Sequence, residues 1–214
     1  MDGALLHPPA EQYDTLERQT QAATFGMWLF VGSELLFFSG LFAVYFGLRA
    51  RYGAPFIEAA QHSKLAIGTV NTFVLLVSSY FVALAASGPR RGSSHRAVRA
   101  ALFVAVGLGF LFLVLKGVEY AEHFRDGIYP AGLYHYAEAP SNGARMFFTL
   151  YFFMTGLHAI HVGIGIGLLL WMARRVGRGD FDAVYYTPLE ICGMYWHLVD
   201  IIWLFLWPCF YLLR

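Results

Sequence analysis

Long apolar runs alternate with short polar, turn-rich connections along most of the 214 residues. A helix needs about 20 apolar residues to cross the hydrocarbon core of a bilayer, and only helices satisfy their backbone groups there without partners. The pattern therefore predicts an all-α integral membrane protein, a bundle of five transmembrane helices in one membrane domain over 1–214. A polar N-terminal tail covers 1–22, and the predicted spans are 25–48, 65–86, 97–118, 146–173 and 189–213.

Composition supports a membrane protein and excludes a nucleic-acid partner. Hydrophobic residues make up 58% of the chain and charged residues 14%, whereas a soluble domain has about 25% charge. A formal charge of +1 leaves no basic stripe for phosphates. Cys192 and Cys209 share the last span, where helical rise separates them by roughly 25 Å, so they cannot form a disulfide with each other.

Arginine clusters predict the orientation of the spans. Arg90, Arg91, Arg96 and Arg99 surround the second connection, and three more arginines at 174, 175 and 178 crowd the fourth. Cytoplasmic loops carry the excess of basic residues, so we expect these loops and the N-terminus in the cytoplasm. Five spans then place the C-terminal Arg214 outside.

Few ionisable groups lie within or beside the spans. An ionised group at mid-helix costs roughly 2.5–3.5 kcal/mol, so each one needs a partner or a function. We single out six candidates: Glu34, Glu119, His158, His161, His197 and Asp200.

The histidine pairs raise the question of a metal or haem. His158 and His161 share one helix face, as do His197 and Asp200 on the last span. Two facing pairs could in principle bind a metal, and His158 with His197 could ligate a haem. The scarcity of histidines and the absence of a di-iron carboxylate motif favour interhelical hydrogen bonds instead.

The two glutamates have different expected roles. Apolar neighbours should keep Glu34 protonated, either as a proton-exchanging carboxyl or as a neutral acid bonded to a histidine or a backbone carbonyl. Glu119 lies near the end of the third span beside Lys116, which we expect to extend towards the membrane interface. An interface pair or loop anchor is the favoured role for Glu119.

Small residues form two stripes. On the first span a small residue recurs every seven positions, at Gly26, Ser33, Gly40 and Gly47. On the fourth span one recurs every four positions, at Ala159, Gly163 and Gly167. Small side chains let membrane helices approach closely, so both stripes predict packing surfaces.

Motifs in all five spans resemble subunit III of the haem–copper terminal oxidases, of the aa3 and caa3 cytochrome c oxidase kind, in its five-helix bacterial form. They occur in the order of that family and run through 26–30 (GMWLF), 33–40 (SELLFFSG), 71–72 (NT), 116–120 (KGVEY), 156–163 (GLHAIHVG) and 195–205 (YWHLVDIIWLF).

The resemblance implies an accessory subunit of a proton-pumping respiratory oxidase in the bacterial inner membrane. Haem and copper would belong to partner subunits I and II, with no catalytic residue, metal or cofactor in this chain, which would stabilise subunit I and support proton uptake. Glu34 matches the family's carbodiimide-reactive glutamate, and Arg175 matches a position that holds a phospholipid headgroup.

Three other functions remain open. A quinol-oxidase subunit III and a nitric-oxide-reductase accessory protein share the fold that the resemblance implies. A small proton-coupled transporter is the alternative from another class, although the sequence lacks an inverted repeat.

Overall fold

The computed structural model describes residues 8–130, 133–136 and 139–212. Residues 1–7 of the predicted tail, Leu213 at the end of the last predicted span, and Arg214 lie outside them. Six α-helices follow in order: α1 (Leu16–Tyr52), α2 (Ala54–Gln61), α3 (Leu65–Ser87), α4 (His95–Arg125), α5 (Asn142–Arg178) and α6 (Thr187–Trp207). A 3-10 turn (Pro89–Arg91) follows α3, and a π turn (Pro208–Leu212) follows α6. The described residues form no strand.

Five of these helices are long and apolar enough to cross a membrane: α1, α3, α4, α5, and α6 with its π turn. This confirms the five-helix membrane bundle. Three helices extend well beyond the predicted spans because their polar ends remain helical: α1 begins at Leu16, α4 continues to Arg125, and α5 covers Asn142–Arg178. The short helix α2 was not predicted.

Local signals set the helix ends. Thr15, Ser94 and Ser141 each accept a hydrogen bond from a backbone N–H in the first turn of α1, α4 and α5. Helix α5 ends at Arg178 and is capped by Gly179, whose φ of 81° is in the left-handed region that favours glycine. Regular α-helical structure in α6 ends at Trp207 because Pro208 has no N–H to donate.

The helices pack unevenly. Each of α3, α4, α5 and α6 packs extensively against two of the others, whereas α1 lies at the periphery against α5 and α6. Of its 37 residues, α1 buries only Met27, Phe38 and Tyr45. It is therefore the most weakly embedded span of the bundle.

Close helix contacts use different glycines from those predicted. A Cβ at Gly109 of α4 or Gly165 of α5 would lie within 2.8 Å of the buried Trp196 ring of α6. At these two positions the helix backbones lie so close to that ring that only glycine fits. By contrast, a Cβ at the stripe glycines would meet no atom within 4 Å: Gly26, Gly40, Gly47, Gly163 and Gly167. The predicted packing role of both stripes is wrong within this chain, because these glycines face away from its own helices.

The π turn contacts each of the four other membrane-spanning helices. Tyr45 of α1 donates a hydrogen bond to the Cys209 carbonyl, and Phe210 packs edge-on against Phe147 of α5 at 5.6 Å. The Tyr211 ring covers Gly68 of α3, and its hydroxyl reaches α4. One short segment thus joins the spans at that end of the bundle.

Candidate functional site

Glu34 and His161 meet where α1 crosses α5. The Glu34 Oε2 and His161 Nε2 atoms are 3.2 Å apart, in a contact that is close but not aligned as an ideal hydrogen bond. Both side chains are largely buried, with 20% and 14% exposed. The structure therefore pairs the Glu34 carboxyl with a histidine rather than with a backbone carbonyl.

Further contacts fix the His161 ring. Its Nδ1 atom lies 2.9 Å from the Leu157 carbonyl oxygen, and the edge of Phe38 packs against the ring at 5.6 Å. Tyr195 of α6 donates a hydrogen bond to the His161 carbonyl at 3.1 Å. Three helices thereby meet at this residue.

Lys116 and Glu119 form a second polar site, fully buried among α4, α5 and the π turn. The Lys116 ammonium lies 3.0 Å from the Glu119 carboxylate, 2.9 Å from the Tyr151 hydroxyl and 2.8 Å from the Tyr211 hydroxyl. The side chains of Lys116 and Glu119 are 4% and 1% exposed. The prediction that Lys116 extends to the interface is wrong, because the bundle supplies three hydrogen-bond partners and aromatic rings inside.

His158 makes its contacts through its ring. It is completely buried and stacks on Trp203 of α6 at 5.2 Å, with the edge of Phe112 of α4 at 5.6 Å. Within the described part of the chain, neither ring nitrogen has a hydrogen-bond partner. The prediction that His158 forms an interhelical hydrogen bond is wrong, although its ring does contact residues of two other helices.

His197 and Asp200 lie against Ser79 of α3. The Ser79 hydroxyl is 2.7 Å from His197 Nδ1, and the buried carboxyl of Asp200 lies near the same hydroxyl. Sequence reasoning missed Ser79, since a serine in an apolar span carries no signal of what it faces.

The three span histidines point to three different neighbours: α1 for His161, Trp203 for His158, and α3 for His197. No group of three or more histidine, cysteine or acidic residues that could hold a metal occurs in the described ranges. Within these ranges the structure therefore does not gather the three span histidines into one cluster with further donors.

Arg175 lies at the end of the bundle that carries the arginine-rich loops, which we call the arginine end. Its Nε is 2.9 Å from the Asp180 carboxylate, and its guanidinium lies over the rings of Trp171 and Phe181. Trp171 lines an apolar cavity of about 270 Å³ between α1, α5 and α6. At the same end, Arg90 bridges to Glu190 of α6 at 3.0 Å, so both arginine-rich loops are on one side.

The fold and these sites define an integral membrane protein of five spans whose buried polar groups connect helices. The family model for cytochrome c oxidase subunit III matches residues 14–213. The chain belongs to the cytochrome c oxidase subunit III family.

Individual relatives agree with that assignment. Cytochrome c oxidase subunit 3 of Ovis aries is 30% identical over 214 residues, covering 96% of this chain and 72% of the sheep protein. Cytochrome c oxidase subunit 3 of Thermostichus vulcanus is 31% identical over 191 residues, covering 88% of this chain and 86% of that protein. Quinol oxidase subunit 3 of Bacillus spizizenii is 28% identical over 190 residues, covering 88% of this chain and 85% of that protein.

Proposed function

We propose that the chain is the accessory subunit III of a proton-pumping cytochrome c oxidase in a bacterial inner membrane. The observation that carries this proposal is the family match over residues 14–213. In this role the chain binds no redox cofactor, packs beside the catalytic subunit I, and contacts subunit II. It stabilises subunit I during turnover and supports proton uptake.

The scattered histidines support a non-redox role. Electron transfer through a haem needs axial ligands on facing helices, and His158, His161 and His197 are each engaged with a different neighbour. The polar groups His158, His161, His197, Asp200 and Glu119 are proposed to hold the helices in register. Glu34 is the proposed proton-linked group, because it is the carboxyl within the apolar span of the weakly packed helix α1.

Membrane lipid is a second proposed partner. Arg175 keeps guanidinium N–H groups beyond the Nε that faces Asp180, and the adjacent Trp171 lines the apolar cavity. An anionic headgroup at Arg175 with an acyl chain in the cavity would satisfy both features.

A quinol-oxidase role is the second candidate, favoured by the relative from Bacillus spizizenii. The electron donor is a property of the complex, so oxidation of reduced cytochrome c and of a quinol by the intact assembly distinguishes the two.

Native purification followed by depletion tests the accessory role. We expect the chain to co-migrate with haem-bearing subunits and the haem spectrum to remain with those subunits after this chain is removed. The depleted enzyme should start at a near-normal rate at low pH, lose activity during turnover, and show a larger deficit as pH rises and protons become scarce. Depleted enzyme identical to the intact complex across pH and turnover, or a haem-free native assembly, would contradict the proposal.

A further inference from the structure

Three exposed arginines at the arginine end have no acidic partner. They are Arg99 in the second turn of α4, and Arg174 and Arg178 in the last turns of α5. In the part of the chain that the structure describes, none of the three forms an ion pair. This corner of the bundle therefore carries uncompensated positive charge where two spans leave the membrane.

The acids that follow α5 are engaged elsewhere. Asp180 lies 2.9 Å from Arg175, and Glu190 lies 3.0 Å from Arg90. The Asp182 carboxylate accepts hydrogen bonds from two backbone N–H groups of the turn that follows it. The three arginines of α4 and α5 are thus available to bind an anion from outside the bundle.

Arg99 reaches across the seam between α4 and α5. A Cβ at Gly177 would lie 3.3 Å from its Nη1 atom, so the guanidinium lies against the backbone of the last turn of α5. The ring of Phe103 packs on the same guanidinium at 5.4 Å. Arg174 and Arg178 are one helical turn apart on the neighbouring face of α5. Arginines of two helices therefore line one end of this seam.

The membrane side of the seam is apolar and has open space beside α5. Gly163 and Gly167 share a face of α5 with Arg174, and a Cβ at either glycine would meet no atom within 4 Å. On α4, Phe103 and Phe110 are 46% and 62% exposed. The stripe of small residues on α5, which packs against no helix of this chain, thus leads to the unpaired arginines.

We propose that the seam between α4 and α5 binds an anionic phospholipid at the arginine end. Its phosphate pairs with Arg99, Arg174 and Arg178, because guanidinium groups match the oxygens of a phosphate. Its acyl chain lies along Gly163 and Gly167. An anionic lipid fits both features: a soluble anion would leave the apolar surface uncovered, and a zwitterionic headgroup brings a cation of its own towards the arginines.

This site is separate from the lipid position proposed at Arg175. The Arg175 guanidinium faces Asp180 and the ring of Phe181, and the cavity beside it lies between α1, α5 and α6. The seam with α4 is on another side of α5, so each site takes its own lipid.

Native mass spectrometry of the purified complex containing the full chain tests the site by counting bound lipids. The complex is delipidated in detergent and then supplied with phosphatidylglycerol or, at the same concentration, with phosphatidylcholine. The double variant Arg99→Gln/Arg178→Gln should lose about one phosphatidylglycerol per chain, because the charge-assisted bonds to the phosphate are gone. Gly167→Leu keeps the charge but fills the space for the acyl chain, and it should lower retention as well.

The matched control is Arg18→Gln. It removes the same charge at the arginine end, from the first turn of α1, where Arg18 pairs with Asp14. Retention of phosphatidylglycerol should then equal that of the unchanged protein. Arg99, Gly167 and Arg178 are all exposed, so the variants leave the packed core intact.

Several results would overturn the proposal. One is equal retention of the two lipids by the unchanged complex, and another is a phosphatidylglycerol count that the double arginine change leaves intact or that Arg18→Gln lowers equally. A loss that Gly167→Leu does not share would indicate a soluble anion or an acidic protein segment instead of a lipid. In an Arg175→Gln background the double variant should still lose its lipid, and no further loss would contradict two separate sites.

Lipids are counted on whichever assembly contains the chain, whether or not haem-bearing subunits co-migrate with it. Failure of this site and failure of the accessory role therefore remain distinguishable.

Discussion

The Tyr211 hydroxyl lies between the two members of a buried ion pair. It is 2.8 Å from Oε1 and 2.9 Å from Oε2 of Glu119, to which it donates, and it accepts from the Lys116 ammonium at 2.8 Å. A buried ion pair is tolerated when further hydrogen bonds satisfy its remaining atoms. Tyr211 provides such bonds, and the pair in turn holds the π turn against α4.

Replacing one member of this pair should strongly destabilise the bundle. Lys116→Met leaves the Glu119 carboxylate buried without its cation, and we expect a loss of about 3–5 kcal/mol in the free energy of unfolding. The double variant Lys116→Met/Glu119→Leu should recover much of that loss because no uncompensated charge remains. Unfolding of the chain in mixed micelles would measure both effects.

The control is Lys64→Met, which breaks the 2.8 Å contact between Lys64 and Glu122. Those side chains are 53% and 33% exposed, so solvent screens their interaction and little stability should be lost. If Lys64→Met and Lys116→Met had equal effects, the buried pair would not be the stabilising contact we describe.

Gly165→Ala should disrupt the packing of α5 against α6. The added Cβ would lie 2.8 Å from the Trp196 ring, which is itself buried and cannot move aside, and overpacking of this kind costs roughly 1–3 kcal/mol. Gly163→Ala, two residues earlier on the same helix, adds the same methyl group in open space and serves as the matched control. Thermal inactivation of the complex compares the two, and equal midpoints would contradict the packing at Gly165.

A hydrophobic carbodiimide should label Glu34 in preference to the other membrane carboxyls. The reagent arrives from the lipid and needs a protonated acid, and the Glu34 side chain is 20% exposed at the peripheral helix. Glu119 is 1% exposed and paired with Lys116, while Asp200 is buried beside Ser79. Peptide mass spectrometry locates the adduct, and Glu34→Gln should abolish it. An adduct on Glu119 or Asp200 would show that the reactive carboxyl is a different one.

Reporter fusions should place the arginine end in the cytoplasm. The Arg90–Glu190 bridge shows that the loop after α3 and the start of α6 share one side of the bundle, and basic loops remain in the cytoplasm. A fusion at Ser93 should report a cytoplasmic position and one after Arg214 an external position. An external signal from the fusion at Ser93 together with a cytoplasmic signal from the fusion after Arg214 would contradict this orientation.

The spans were predictable because the bilayer imposes a length and an apolar composition that a single sequence reveals. The helix ends were harder to predict: the apolar pattern ends at Val118, yet α4 continues to Arg125, and its polar residues Glu119 and His123 are buried against the bundle. Helix α2 is eight residues long and carries no span-length signal.

The side-chain partners were harder to predict. Glu34 could be singled out as a costly group needing a partner, and a histidine was among the options. Which histidine it meets depends on how α1 lies on α5, which helical periodicity does not specify. Lys116 shows the same limitation, since a lysine near a span end suggests the interface unless Tyr151 and Tyr211, 35 and 95 residues away, are known to face it.

The π turn at Pro208–Leu212 has a consequence for the order in which this protein is made. Residues 208–212 end the fifth span and are synthesised after the first four spans and α6, yet these residues contact α1, α3, α4 and α5. Until they emerge, the Lys116–Glu119 pair lacks Tyr211, and α1 lacks its contact from Tyr45 to the Cys209 carbonyl. A nascent chain that has inserted its first four spans therefore still has an open bundle, which closes only when the last residues of the fifth span have been made.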